Sequence, residues 1–175
     1  MSVMTRRLGW LSILLIGAGM MGYALYSQYV LELYPCPLCM FQRVALIALM
    51  LVALLALLHN PGRTGQRIYG LLGLLTGAGG VAIASRHVWL QNLPADQVPS
   101  CGAGLEFMME TLPLLTVVRE VLTASGECAN ISWQFLGLSM PAWVAIMMSV
   151  LTAVVLLTAF RWPAAYSTGS SIVDA

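Results

Sequence analysis

Four cysteines carry the chemistry open to this sequence. Cys36 and Cys39 stand in Cys36-Pro37-Leu38-Cys39, and Cys101 and Cys128 follow far downstream. A Cys-x-x-Cys loop is too small to gain much closure entropy, and such segments commonly exchange thiols with disulfides. Four cysteines allow three connectivities. Cys36 and Cys39 are close enough for a redox-type bridge, which leaves Cys101 with Cys128. That second bridge closes a loop of about 28 residues and would stabilise by roughly 3.5 kcal/mol on the chain-entropy estimate, so a purely structural staple stays open for it. Zinc is disfavoured, because the second pair lacks Cys-x-x-Cys spacing and no histidine lies near either pair in sequence. Covalent haem attachment fails, since Met40 stands where the motif needs histidine.

The neighbours of Cys39 favour redox chemistry. Cys39 precedes an apolar run, so it falls at a helix start, where backbone N–H groups and the helix dipole favour a thiolate. Arg43 follows at i+4 on the same helical face and adds a permanent positive charge. Its bland alternative is a side chain that snorkels to the membrane boundary. Exchange between two cysteine pairs moves electrons without disposing of them, and the chain has no flavin or haem signature. A dithiol at a bilayer edge can reach a diffusing quinone, with Arg43 bonding a quinone carbonyl or stabilising the reduced anion. His87 offers a second polar contact or a proton route, against the alternative of an ordinary interfacial histidine.

The elements that must position these residues are membrane helices. Of the 175 residues 59% are hydrophobic and only 9% charged, with mean hydropathy +0.85; soluble domains carry roughly 25% charged residues. The net charge of +1 argues against a nucleic-acid partner. Four stretches, about 8–31, 40–58, 68–90 and 141–160, meet the roughly 20-residue length of a membrane-spanning helix. The expectation is an all-α membrane protein, residues 1–175 forming one four-transmembrane-helix bundle. Its first outer loop (about 32–39) is short. The second (about 91–140) is long and carries an amphipathic membrane-surface segment over 105–122, interrupted at Pro113. Gly73-x-x-x-Gly77 and its neighbours provide for close helix packing.

Orientation follows from charge. Arg6, Arg7, Arg63, Arg67 and Arg161 fall on one side, and Glu32, Asp96, Glu106, Glu110, Glu120 and Glu127 on the other, with Arg119 the exception among loop residues and Arg43 and Arg86 at the outer boundary. The positive-inside rule then places both termini and the 59–67 loop in the cytoplasm and all four cysteines outside, where disulfides persist. A cleaved export signal at Thr5-Arg6-Arg7 is disfavoured, because the apolar run exceeds the roughly 7–15 residues of a signal core. Trp89, Trp133 and Trp143 suit interfacial anchoring.

From about Trp10 to Trp162 the chain resembles the disulfide bond formation protein B (DsbB) family. The resemblance rests on Cys36-Pro37-Leu38-Cys39 followed by Gln42-Arg43, on Arg86-His87-Val88-Trp89-Leu90-Gln91, and on Ser125-Gly126-Glu127-Cys128 leading to the segment 133–143. It implies a bacterial inner-membrane thiol:quinone oxidoreductase, using ubiquinone or menaquinone, that reoxidises a periplasmic thioredoxin-fold oxidase of the DsbA type. It also implies roles: Cys101 forms the mixed disulfide with the partner, Cys128 exchanges with Cys36, and Cys39 meets the quinone beside Arg43 and His87. Vitamin K epoxide reductase-like proteins use a similar scheme, but there Cys-x-x-Cys follows the loop cysteines, whereas here it precedes them. Two other readings are a disulfide-stapled membrane scaffold without turnover and a paralogous oxidase with a dedicated partner. A transporter has little support, since no span holds an acidic residue deep in its interior.

Overall fold

The computed structural model describes residues 3–94, 96–98, 105–123 and 126–160. In chain order its elements are α1 (Val3–Tyr29), α2 (Pro37–His59), α3 (Arg63–Gln91), α4 (Leu105–Thr111), α5 (Leu114–Thr123), a 3-10 turn (Gly126–Ala129), β1 (Gln134–Phe135), β2 (Leu138–Ser139) and α6 (Met140–Phe160). Helices α1, α2, α3 and α6 are long and apolar enough to cross a membrane. They form a four-helix bundle in which α1 packs on α2, α2 on α3, α3 on α6, and α6 back on α1.

Three helices start several residues earlier than hydropathy suggests, α1 at Val3 rather than 8, α2 at Pro37 rather than 40 and α3 at Arg63 rather than 68. Proline is pre-set for the first helical position, so Pro37 starts α2 before the apolar run does. At 1.5 Å per residue α3 is about 43 Å long, beyond the roughly 30 Å of hydrocarbon, so its arginine-bearing first turns extend past the apolar layer. The other boundaries have local causes. Glu32 turns the chain after α1 in the left-handed region (φ 54). Asn60, also left-handed (φ 41), caps α2 by donating its N–H to the Ala56 carbonyl, and Pro61 follows.

The bundle closes through glycine. Gly70, Gly73, Gly77 and Gly80 form one buried stripe on α3. A Cβ on Gly70 would meet Ala159, on Gly77 Thr152, and on Gly80 Met148; on Gly73 it would come 3.0 Å from Val155 Cγ1. The Gly73-x-x-x-Gly77 contact expected from sequence is thus the middle of a longer seam against α6. Gly79, Gly19 and Gly22 face open space. A core of Trp10, Ile13, Leu46, Leu49, Met148, Leu151 and Val155 fills the bundle. At its far end Trp10 Nε1 donates to Gln66 Oε1 at 3.1 Å, pinning α1 to α3.

The segment between α3 and α6 covers the end of the bundle where α2 begins. Pro113 divides its helical part into α4 and α5, as the sequence implied. Met108, Val117 and Val121 pack with Leu38, Leu90 and Cys128 in a second core, while Leu114 and Leu115 are exposed. Arg86 ties α5 down: its Nε donates to the Leu122 carbonyl at 2.9 Å and its guanidinium lies 4.8 Å over the Trp89 ring. Sequence reading did not foresee the hairpin β1–β2, which pairs Gln134 with Ser139 and Phe135 with Leu138. Its two turn residues, Leu136 (φ 52) and Gly137 (φ 78), are both left-handed, as a two-residue type I′ turn requires. Trp133 and Trp143 pack on this feature. Trp133 stacks on Phe135, and Trp143 Nε1 donates to the Phe135 carbonyl at 3.1 Å.

Candidate redox site

The site is built on the start of α2. Cys36 is the N-cap, in extended conformation (φ −70, ψ 165), and its sulfur accepts from the Cys39 N–H at 3.4 Å. Sequence reading put Cys39 at the helix start. In the structure Cys36 holds that position and Cys39 lies within the first turn, so both sulfurs sit where the helix dipole is positive. The two thiols are 3.0 Å apart and hydrogen-bonded.

Two other elements close over this pair. The 3-10 turn brings the buried Cys128, a free thiol, against Cys36. From α3 comes His87, buried between the sulfurs: Nε2 is 3.8 Å from Cys36 Sγ and Nδ1 is 4.0 Å from Cys39 Sγ. Nε2 also lies 3.1 Å from the Cys128 carbonyl oxygen, and Nδ1 3.2 Å from Gln42 Nε2. The boundary histidine of the sequence reading is therefore the hub of the thiol cluster. In sequence Gln42 marks itself only through the Gln42-Arg43 motif and by being a polar residue inside an apolar span, which signals a buried partner. The ground for disfavouring zinc also changes, since one His87 nitrogen and the sulfurs of Cys36 and Cys128 lie within 4.8 Å of one another. Cys101, and with it the expected Cys101–Cys128 pairing, lies outside the described residues.

Electrostatics separates the loop thiol from the cap thiol. Cys36 is held far above its ordinary value of 9.0, first by its hydrogen bond to Cys128, then by that to Cys39 and by burial. Cys128 is brought down to about 7, chiefly by the hydrogen bond it accepts from Cys36, with help from the Leu38 N–H. Cys36 thus keeps its proton, with the sulfurs of Cys39 and Cys128 both facing it. A thiolate at Cys128 faces the sulfur with which it would exchange.

Arg43 does not turn toward Cys39. Its Nη1 donates to Gln28 Oε1 at 2.5 Å and its Nη2 to the Ala24 carbonyl at 3.0 Å, both on α1. Helical spacing alone suggested a thiolate contact, but the acceptors on α1 hold the guanidinium. It nevertheless lines, with Cys36, Cys39, Gln42, His87 and Cys128, a cavity of about 260 Å³. An apolar cavity of about 430 Å³ adjoins it, bounded by Tyr23, Phe135, Trp143 and Met147 and sharing Met20, Trp133, Met140 and Val144 with the first.

Clustered thiols at a helix start, faced by a third thiol and set at the end of a four-helix membrane bundle, define a membrane-embedded thiol–disulfide oxidoreductase. The chain belongs to the DsbB family: the family model described as "Disulfide bond formation protein DsbB" matches residues 6–158. It is 53% identical over 145 residues to "Disulfide bond formation protein B" of Hahella chejuensis, covering 83% of this chain and 86% of that one. The relative of the same name from Chromobacterium violaceum is 51% identical over 142 residues, covering 81% and 86%. That from Marinobacter nauticus is 44% identical over 149 residues, covering 85% and 89%. The protein is accordingly a multi-pass inner-membrane, disulfide-forming thiol oxidoreductase of a family that works with quinones.

Proposed function

We propose that the chain takes two electrons from the dithiol of a periplasmic DsbA-type oxidase and passes them to ubiquinone or menaquinone through its two cysteine pairs. The observation that carries the reading is the meeting of Cys128 with Cys36, with Cys39 3.0 Å from Cys36. In the oxidised enzyme Cys101–Cys128 and Cys36–Cys39 are disulfides. A partner thiolate attacks Cys101 and displaces the Cys128 thiolate; the partner's second thiolate then displaces Cys101 and leaves with the new disulfide. Cys128 attacks Cys36 and displaces Cys39, and Cys101 re-forms its bond with Cys128, returning Cys36 to the thiol. The electron pair and two protons now reside on Cys36 and Cys39.

The cavity beside Cys39 suits a quinone, having apolar walls on one side and Arg43, His87 and the thiols on the other. A bound quinone supplies a two-electron, two-proton acceptor. Arg43 would orient a quinone carbonyl as a fixed cation, and the dithiol returns to its disulfide as its electrons leave. The arginine asymmetry supports placing the thiol end in the periplasm and both termini in the cytoplasm. Purified protein given reduced partner and quinone should turn over, and Cys39→Ser should abolish turnover. Full activity in that variant would contradict the mechanism.

A further inference from the structure

We propose that Gln42 is the positioning residue of the redox centre, fixing His87 as the Nε2–H tautomer and thereby holding Cys128 over Cys36. This rests on the exchange reading above and adds a residue to it. The argument begins at the Cys128 carbonyl. A carbonyl oxygen only accepts, so His87 Nε2, 3.1 Å away, must carry a proton. In a neutral imidazole Nδ1 is then an acceptor. The group that faces it at 3.2 Å is the amide nitrogen of Gln42, which only donates. The two contacts are mutually consistent with one tautomer: the Cys128 carbonyl requires the proton on Nε2, and the Gln42 amide secures that state by donating to the bare Nδ1.

The geometry gives this tautomer a mechanical consequence. Gln42 belongs to the helix that Cys36 caps and Cys39 joins, while Cys128 belongs to the 3-10 turn. His87 stands between them and is 2% exposed; Gln42 is 5% exposed. The chain Gln42–His87–Cys128 carbonyl therefore indexes the loop thiol to the helix that bears its exchange partner. In this arrangement both ring nitrogens are engaged, so His87 acts as a strut between α2 and the turn, with the thiols of Cys36, Cys39 and Cys128 around it. A leucine at 42 fills similar space but gives Nδ1 no donor. The ring is then free to reverse its tautomer or turn toward Cys39, and the carbonyl loses its anchor.

The test reads the tautomer directly. The chain has two histidines, His59 and His87, so ¹⁵N-histidine labelling of the full-length reduced protein in nanodiscs gives two rings, assigned with His59→Gln. The wild-type His87 ring should show protonated Nε2 and unprotonated Nδ1. Gln42→Leu and Gln42→Met should shift it to a mixed or reversed pattern, and should lower kcat about tenfold with an unchanged KM for the partner dithiol. A wild-type ring protonated at Nδ1, or a His87 spectrum unaltered by both substitutions, would overturn the proposal. A wild-type ring protonated at Nδ1 overturns the proposal even if the variants fail to fold. Because the spectrum needs neither partner nor quinone, it stands apart from any failure of turnover.

Discussion

Cys128 and Arg43 show how burial and partners override what residue type alone suggests. Cys128 is held at about 7 mainly by the hydrogen bond from Cys36. With a lowered value the reactive thiolate is present above about pH 7 and is lost as pH falls through it. Alkylation of Cys128 in the reduced protein should therefore rise with a midpoint near 7, and Cys36→Ala should move that midpoint up toward the ordinary 9.0; mass spectrometry of the labelled peptide across pH checks both. Arg43 was legible as a functional cation but not in its direction. Helical spacing puts it on the Cys39 side, yet the carbonyl of Ala24 and the amide of Gln28 lie on α1, which a local pattern cannot reveal. Arg43→Ala should raise the apparent KM for quinone by at least about tenfold, the scale of one lost charged hydrogen bond, and leave that for the partner nearly unchanged. An unaltered quinone KM would refute its placement at the quinone.

At the scale of elements, the four long helices were readable because each is a continuous apolar run, and the Cys-x-x-Cys motif marked the start of α2. What joins these elements was not readable. His87 meets Gln42 and Cys128 across separations of 45 and 41 residues, and no periodicity encodes such contacts. The hairpin was missed for a different reason: two residues per strand are too few to show alternation, and Leu136 is an unusual occupant of a left-handed turn position. The glycine seam makes a paired prediction. Gly77→Ala places a methyl group against Thr152 at the tight α3–α6 contact and should cost about 1–3 kcal/mol. Gly79→Ala, two residues on and facing open space, should be neutral or slightly stabilising. Thermal unfolding of the two variants in the same detergent separates them, and equal losses would count against close packing of α3 on α6.

For the whole molecule, the sparse charge and the four spans gave the architecture, and the family match agrees with it. The molecule places its polar chemistry at one end of an otherwise apolar bundle. There α1, α2, α3, α6 and the covering segment between α3 and α6 all contribute to one cavity or its walls. The central claim is that the loop pair and the helix pair communicate through Cys128 and Cys36. It is tested most directly in a Cys39→Ala/Cys101→Ala variant, in which neither Cys36 nor Cys128 can re-form its own bridge. After mild oxidation with diamide, non-reducing peptide mapping should show Cys36 joined to Cys128. Recovery of Cys36 and Cys128 as free thiols would contradict the account.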